Sequence, residues 1–320
     1  MPYAINRRQL FSGATALGAG VAAASRAAAQ PVAFGRPQMT VTLNSSTIRP
    51  APLLDKIRIA REAGYDGIEL WIDELESAER DGPGVDELHE ILHDHGLFVP
   101  NIIGLWNAMP AEEEAWAGAL EESKRRMDLC VRVGAEHVAA IPQPDRPGID
   151  ILWAAEKYRE LLDLGETMGI TVAVEFIGFF QGVNRLGQAV AIAIESRHPS
   201  ACVVADTFHC FRGGSMFEGL QHLQGSVLAV MHFNDVPGDI PQSEQGDEHR
   251  LLPGDGILPL VEIATTLSDI GFAGPLSLEI FSQALWEQDP LEVAKEGVRR
   301  IHRVLDDAGV GHSPGPDHHL

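Results

Sequence analysis

The feature that most constrains the fold is a regular alternation of short apolar segments and helical patterns that begins at Met39. The first segment, MTVTLNSSTI, precedes the helical pattern PLLDKIRIAREAGY, and seven further pairs come after it. Among these pairs, GIELWIDEL is the predicted second strand and MFEGLQHLQG the predicted sixth helix. The apolar segments are rich in β-branched residues, and each helical pattern stops at a glycine or a short polar turn. Eight successive strand–helix units over about 270 residues predict one α/β domain, a closed (β/α)8 TIM barrel, at residues 38–310.

A doubly wound open sheet is the alternative architecture for such an alternation. That fold normally carries a glycine-rich phosphate loop after its first strand. The corresponding stretch here is Thr47-Ile48-Arg49-Pro50, which has no glycine. The barrel is therefore the favoured prediction.

The two ends of the chain differ from this repeat. Residues 1–29 contain the pair Arg7-Arg8, a weakly apolar run of Gly and Ala without an acid, and a final Ala27-Ala28-Ala29. This pattern predicts a twin-arginine export signal, with the twin-arginine translocase as a partner and the periplasm as the location. A Sec signal and an ordinary flexible N-terminus remain the alternatives. The sequence of residues 311–320, GHSPGPDHHL, predicts a disordered tail.

Charge and composition exclude several classes of partner. The formal net charge is −22, from 24 basic and 46 acidic residues, so a nucleic-acid partner is disfavoured. After the leader no apolar run is long enough to span a bilayer. Three cysteines without tight spacing predict free thiols rather than a disulfide framework. A homo-oligomer is compatible with the sequence.

Four polar residues stand at the carboxyl ends of strands five to eight, where the active sites of such barrels are built. They are Glu175, Asp206, His232 and Glu279. The alternation of each strand places all four on the face that points into the barrel. Taken singly, each has an ordinary explanation, a salt bridge to a loop or a satisfied core histidine. Together they predict one site at which four strands deliver polar groups at similar depth.

Three carboxylates that converge without a cation would repel one another and become protonated. Three oxygen donors and one imidazole suit a divalent ion, for which we favour Mn²⁺ and leave Mg²⁺, Co²⁺ and Zn²⁺ open. No thiolate belongs to the set, which argues against a purely structural zinc. The sequence thus predicts one catalytic divalent metal ion held by these four side chains.

Several motifs resemble those of one known family. VEFIG, DTFHCFRGG, HFNDVP, HRLLPGDGILPL and GPLSLEIF, with LNSSTIR and GYDGIELW near the start, resemble the xylose-isomerase-like barrels, often called sugar phosphate isomerases/epimerases. The pattern is most similar to the inosose (2-keto-myo-inositol) isomerases of that family, and it covers nearly the whole chain after the leader. The resemblance implies the same four metal ligands, and it implies that His209 and Arg250 polarise the substrate.

The resemblance also implies a reaction. It is an isomerisation or epimerisation of a keto sugar or inosose through a metal-bound cis-enediolate, with Glu175 and Glu279 as the acid/base pair. His209 and Arg250 would stabilise the oxygen on which charge develops. No convincing phosphate cradle is visible, so an unphosphorylated sugar or cyclitol is the expected substrate. Weaker candidates for substrate contact, which could equally fill the barrel, are Asn44, Glu69, Trp71, Trp106, Asn234 and Trp286.

Three other functions fit parts of the pattern. A dehydratase of an inosose or 3-keto sugar would use the same site but expel a β-hydroxyl group instead of returning a proton. Phosphodiester hydrolysis occurs on related barrels, but one histidine ligand and a strongly acidic chain disfavour it. A sugar-binding protein without catalysis has no need of two facing glutamates or a metal. The isomerase/epimerase stays first and the dehydratase second.

Overall fold

A computed structural model describes residues 38–142 and 147–313. Eight parallel strands close into a barrel in chain order, with the first strand hydrogen-bonded to the eighth. The strands are β1 (Thr40–Asn44), β2 (Gly67–Trp71), β3 (Ile102–Met109), β4 (His137–Pro142), β5 (Thr171–Glu175), β6 (Cys202–Asp206), β7 (Leu228–His232) and β8 (Pro275–Leu278). The predicted (β/α)8 barrel is therefore confirmed.

The helices lie between the strands and after the last one. They are α1 (Leu53–Ala63), α2 (Ile72–Asp81), α3 (Val85–Asp94), α4 (Glu113–Arg132), α5 (Ile151–Met168), α6 (Leu186–Ser196), α7 (Thr207–Arg212), α8 (Leu260–Asp269), α9 (Gln283–Trp286) and α10 (Pro290–Asp307). Short 3-10 turns cover residues 45–48, 218–222, 225–227, 242–244 and 247–249. Within the described ranges, no helix is both long enough and apolar enough to cross a membrane.

Two buried apolar clusters result from the alternation of the strands. One lies between the sheet and the helices and includes Leu43, Ile68 and Leu278. The other includes Val204 and Val230, which share strand faces with Asp206 and His232 and so fill the interior of the barrel. Half-buried aromatic side chains at the mouth pack on this inner cluster. The polar site therefore sits on top of a packed interior.

The structure departs from the sequence expectations at two helices. The stretch IDEL at the end of GIELWIDEL, predicted as part of the second strand, instead begins α2, because Ile72, Leu75 and Ala78 form a buried stripe at helical spacing. The pattern MFEGLQHLQG, expected as the sixth helix, forms only 3-10 turns. The short helix α7 comes directly after β6 in its place.

The carboxyl-terminal end of the barrel also differs from its predicted position at residue 310. Residues 311–313, assigned from sequence to the disordered tail, pair with the start of β1 through bonds from Met39 N to Gly311 O and from Ser313 N to Met39 O, each 3.0 Å long. The hydrogen bonding of the barrel thus includes residues up to Ser313. The predicted export signal at residues 1–29 and residues 314–320 of the predicted tail lie outside the described residues, and both stay predictions.

Candidate metal centre and active site

The four predicted metal ligands meet at the carboxyl end of the barrel. His232 Nδ1 lies 3.1 Å from Glu279 Oε2, 3.5 Å from Asp206 Oδ2 and 3.6 Å from Glu175 Oε1. Asp206, His232 and Glu279 each offer one atom within 4.8 Å of the other two. All four residues are buried, none being more than 3% exposed. A water-poor cluster of three carboxylates and one imidazole is the result.

The tilt of the strands brings these side chains together. Asp206 and His232 are partners across β6 and β7, but Glu175 pairs with Val204, one inward position below Asp206. His232 in turn pairs with Ser277, one inward position below Glu279. The four residues are therefore not on one hydrogen-bonded rung. Their side chains meet because tilted strands in a closed barrel stagger their register around the axis.

His232 shows that the cluster fits a cation. Its Nε2 lies 3.1 Å from Glu69 Oε1, whereas its Nδ1 is buried and makes no hydrogen bond. Burial lowers the pKa of His232, but the carboxylates of Glu279 and Glu69 outweigh burial and raise the pKa well above its ordinary value. A divalent cation can take the place of the Nδ1 proton among three oxygen donors, a donor set that suits such ions.

The carboxylates of the cluster are not equivalent. Burial, Glu279 and Asp206 raise the pKa of Glu175 well above its usual range, although His232 opposes them. Burial acts in the same direction on Asp206, but Arg250 and His209 hold the pKa of that carboxyl well below its usual value. Glu175 is therefore the carboxyl most in need of a further positive charge.

Asp206 also anchors the next helix. Its Oδ1 accepts hydrogen bonds from Phe208 N at 2.6 Å and from His209 N at 3.2 Å, so it caps α7. Asn234 Nδ2 approaches the same oxygen at 3.3 Å. The other oxygen, Oδ2, is thereby directed to the cluster. The cap explains why an aspartate at a strand end positions the residue three places later.

Arg250 is a buried cation that contacts two carboxylates of the cluster. Its Nη1 donates to Asp206 Oδ2 at 2.6 Å and to Glu279 Oε2 at 2.8 Å, and Asp247 Oδ1 accepts from Nε and Nη2 at 2.9 and 2.7 Å. The guanidinium lies 4.7 Å from the ring centroid of Phe208 and 5.2 Å from that of Phe281. Arg250 therefore places a fixed positive charge beside the oxygens that face His232.

His209 lies on α7 next to Arg250. Its Nε2 accepts a hydrogen bond of 3.2 Å from Arg250 Nη2, and its buried Nδ1 makes none. Burial lowers the pKa of His209 to about 4, with Arg250 acting in the same direction and Asp206 opposing. The imidazole is therefore neutral at pH 7. Since Nε2 accepts, the proton resides on Nδ1.

The six weaker candidates fall into two groups. Asn44, Glu69 and Asn234 are fully buried. Asn44 Nδ2 donates to Glu69 Oε2 and to Glu279 Oε1, and Asn234 Nδ2 donates to Asp206 Oδ1. Trp71 and Trp106 are half-buried at the mouth, with ring centroids 5.9 Å apart, and Trp286 donates from Nε1 to Ser46 O at 2.9 Å. Substrate contact by these six residues stays a prediction.

Asp235 holds the loop that carries Arg250, and it was not identified from the sequence. Its backbone forms two 2.9 Å hydrogen bonds with Leu251, and its Oδ2 accepts from Gly254 N and Gly256 N at 3.0 Å. A Cβ at Gly256 would lie only 2.4 Å from Asp235 Oδ1, so glycine is required for this approach. The motif PGDG after Arg250 was the available signal.

Replacing Asp235 by alanine is expected to destabilise the fold by about 1–3 kcal/mol, because the N–H groups of Gly254, Gly256 and Leu258 lose their shared buried acceptor. Hydrogen exchange at residues 250–258 should accelerate, and urea unfolding should measure the loss. The matched control is Asp239→Ala, an exposed aspartate of the same loop. Equal stability and exchange in the two variants would contradict the role given to Asp235.

The comparisons with known proteins agree with this geometry. The model of the xylose isomerase-like TIM barrel family matches residues 57–304. The chain belongs to this family, whose curated relatives include sugar isomerases and epimerases. A curated inosose isomerase of Bacillus licheniformis is 29% identical over 274 residues, which cover 79% of this chain and 93% of the relative.

Two further similarities bear on the reaction and the metal. A 3-dehydroshikimate dehydratase of Pseudomonas aeruginosa is 23% identical, with 78% of this chain matching 39% of that protein. A crystal structure of IolI protein with a bound zinc atom superposes with a TM-score of 0.79 at 26% identity, covering 84% of this chain and 99% of that one. The chain is therefore similar both to isomerases and, over part of their length, to dehydratases.

Proposed function

We propose that this chain is a divalent-metal-dependent isomerase or epimerase of an unphosphorylated keto sugar or inosose. The observation that carries the proposal is the convergence of Glu175, Asp206 and Glu279 on the buried Nδ1 of His232. The similarity to inosose isomerases and to a zinc-containing structure supports the same function. These four residues would hold the ion.

A bound divalent ion supplies Lewis-acid polarisation of a carbonyl and stabilises negative charge that develops on its oxygen. The chain's own residues move the proton. One of Glu175 and Glu279 takes the proton from the carbon next to the carbonyl, and the other returns a proton to the neighbouring carbon or to the opposite face. Removal and return of that proton complete an epimerisation. An isomerisation also requires the hydroxyl proton to pass from one oxygen of the enediolate to the other, and the mass is unchanged in both reactions.

His209 and Arg250 act on the substrate oxygens. Neutral His209 would hydrogen-bond the oxygen that becomes negative, and the Arg250 guanidinium keeps a positive charge beside it. Both groups are buried and fixed by Asp206 and Asp247 before a substrate binds. Preorganised donors of this kind stabilise developing charge more than mobile water does.

The aromatic side chains at the mouth suit the face of a sugar or cyclitol ring. Trp71 stacks on Trp106 and meets Phe281 edge to face, with centroids 5.7 Å apart. These rings lie next to the cluster, since Trp71 Nε1 donates to Asn44 Oδ1 at 2.9 Å and Asn44 Nδ2 donates to Glu279 Oε1 at 3.1 Å. We therefore assign the ring face of the substrate to this wall.

Dehydration is the second candidate function, and the similarity to 3-dehydroshikimate dehydratases favours it. The first step would be the same removal of a carbon-bound proton. The electron pair would then expel the β-hydroxyl group, which leaves as water after it receives a proton from the second carboxyl group. The two functions share the first proton transfer and differ only in the second step, which is reprotonation of carbon in one and loss of water in the other.

Deuterium exchange separates the candidates. The purified protein is loaded with Mn²⁺, Mg²⁺, Co²⁺ or Zn²⁺ and incubated in D2O with inososes, ketohexoses, 3-keto-glucosides and 3-dehydroshikimate. Deuterium incorporation without loss of water, seen by NMR and mass spectrometry, is the expected result. A product lighter by water would establish the dehydratase instead. Failure of every substrate to exchange, in protein shown to contain metal, would contradict both.

A further inference from the structure

We propose that Glu69 is the residue that positions His232, holding its ring so that Nδ1 is the nitrogen presented to the metal. The proposal rests on the metal site of the proposed function, because it concerns how one ligand of that site is fixed. Glu69 itself is not among the four ligands. It lies on β2, on the opposite side of His232 from the carboxylate cluster.

Glu69 is fully buried, and each of its oxygens has two partners. Oε1 contacts Asn101 Nδ2 at 2.7 Å and His232 Nε2 at 3.1 Å. Oε2 accepts from Asn44 Nδ2 and from Ser277 Oγ, both at 2.7 Å. With all four contacts made inside the protein, its oxygens have no position left for a substrate. We therefore assign Glu69 to positioning rather than to substrate binding.

The contact decides which nitrogen of His232 keeps its proton. An ionised carboxylate can only accept hydrogen bonds, and the amide and hydroxyl groups around Glu69 already donate to it. His232 must therefore donate from Nε2, which leaves Nδ1 to face Glu175, Asp206 and Glu279. A histidine that donates one nitrogen to a carboxylate and gives the other to a metal is a common arrangement in metal sites.

A second link runs from Glu69 to another ligand through Asn44. The Asn44 amide donates to Glu69 Oε2 and to Glu279 Oε1, while its Oδ1 accepts from Trp71 Nε1 and Ser46 N. Every polar atom of the Asn44 side chain is thus committed. Glu69 therefore restrains His232 directly and Glu279 through one intermediate side chain, which joins β1, β2 and β7 to the residue after β8.

The test is the affinity of Glu69→Gln for Zn²⁺, measured by competition with a chromogenic chelator. An amide has nearly the same shape but lacks the charge and presents N–H groups to neighbours that also donate. We expect affinity to fall about 10–100-fold, as for other outer partners of ligand histidines. The matched control is Glu74→Gln, in which a carboxylate bonded to Lys56 and Ser45 at the same end of the barrel is changed. The control should lose stability but keep wild-type Zn²⁺ affinity.

A second readout needs no variant. In Zn²⁺-loaded wild-type protein labelled with ¹⁵N-histidine, NMR should show His232 with a proton on Nε2 and none on Nδ1. A proton on Nδ1 in the wild type, or unchanged zinc affinity in folded Glu69→Gln, would overturn the proposal. Wild-type protein that binds no divalent ion would instead overturn the metal site itself, so the two failures are distinguishable.

Discussion

Arg250→Met is expected to destabilise the metal-free protein by about 3–5 kcal/mol, the cost of breaking a buried ion pair by removing one partner. Arg250 is only 1% exposed, and its guanidinium contacts Asp206, Asp247 and Glu279. The methionine fills much of the volume but leaves those carboxylates without their main cation. Urea unfolding in the presence of EDTA measures the loss.

The matched control for Arg250 is Arg212→Met, which removes a half-buried arginine whose Nε donates to the carbonyl of Gln245. That change should cost about 1 kcal/mol, the net contribution of one hydrogen bond. Added Mn²⁺ at about 100 times its dissociation constant should restore about 2.7 kcal/mol to Arg250→Met if the cluster binds it. Equal losses in the two variants would show that the buried ion pairs do not stabilise the barrel.

The second large effect concerns proton transfer. Glu175→Gln and Glu279→Gln should each slow the exchange of the carbon-bound substrate proton with D2O by about 10²–10⁴-fold, the usual contribution of a general acid or base. An amide of the same shape can still offer an oxygen to a cation but cannot accept the proton. Exchange is followed by NMR at saturating metal, so that a weaker affinity for the ion does not limit the rate.

Glu74→Gln serves as the control for this experiment as well, because Glu74 supports the same end of the barrel through Lys56 without touching the cluster. Its exchange rate should equal that of the wild type. If both cluster variants bind metal and keep full exchange, the assignment of the two glutamates to acid/base catalysis is wrong. A loss in one variant alone would identify that glutamate as the base for the substrate used.

The convergence of the four polar strand ends could be anticipated from the sequence because two regular patterns combine. Alternation along a strand tells which side chains point inward, and the parallel closed order of strands tells which ends meet. Asp206 and His232 are partners in adjacent strands, as that argument requires. The same reasoning could not give the stagger of Glu175 and Glu279, since barrel tilt is not encoded in any single strand.

The contacts that hold the metal-ligating side chains could not be predicted from strand alternation, because the residues that make them are far apart in the chain. Glu69 meets His232 across 163 positions and Ser277 across 208. No feature of the neighbouring sequence distinguishes a glutamate that binds substrate from one that hydrogen-bonds to a metal-ligating histidine. The contacts of Asp235 with the loop after Arg250 are easier to predict from the sequence, because the glycines of PGDG indicate a close backbone approach. The glycines indicate that something lies close to the backbone there, but they do not indicate which side chain it is.

The error at α2 has a local cause. In GIELWIDEL the apolar residues alternate through the strand and continue into the first turn of the helix, so period two and period 3.6 overlap for a few residues. The helix becomes distinct only with Ala78 on its buried stripe. Boundaries of this kind are fixed by packing against neighbouring elements, here the contacts of α2 with β3 and α4.

The pairing of Met39 with His312 has a practical consequence for engineering. It joins the first and last described segments at the amino end of the strands, the opposite end of the barrel from His232. In a chain trimmed to residues 38–313, a short linker between the two ends would therefore close the chain into a circle without stretching it. New termini could then be opened in a surface loop. Fusion partners attached directly at residues 38 and 313 should likewise leave the mouth of the barrel unobstructed.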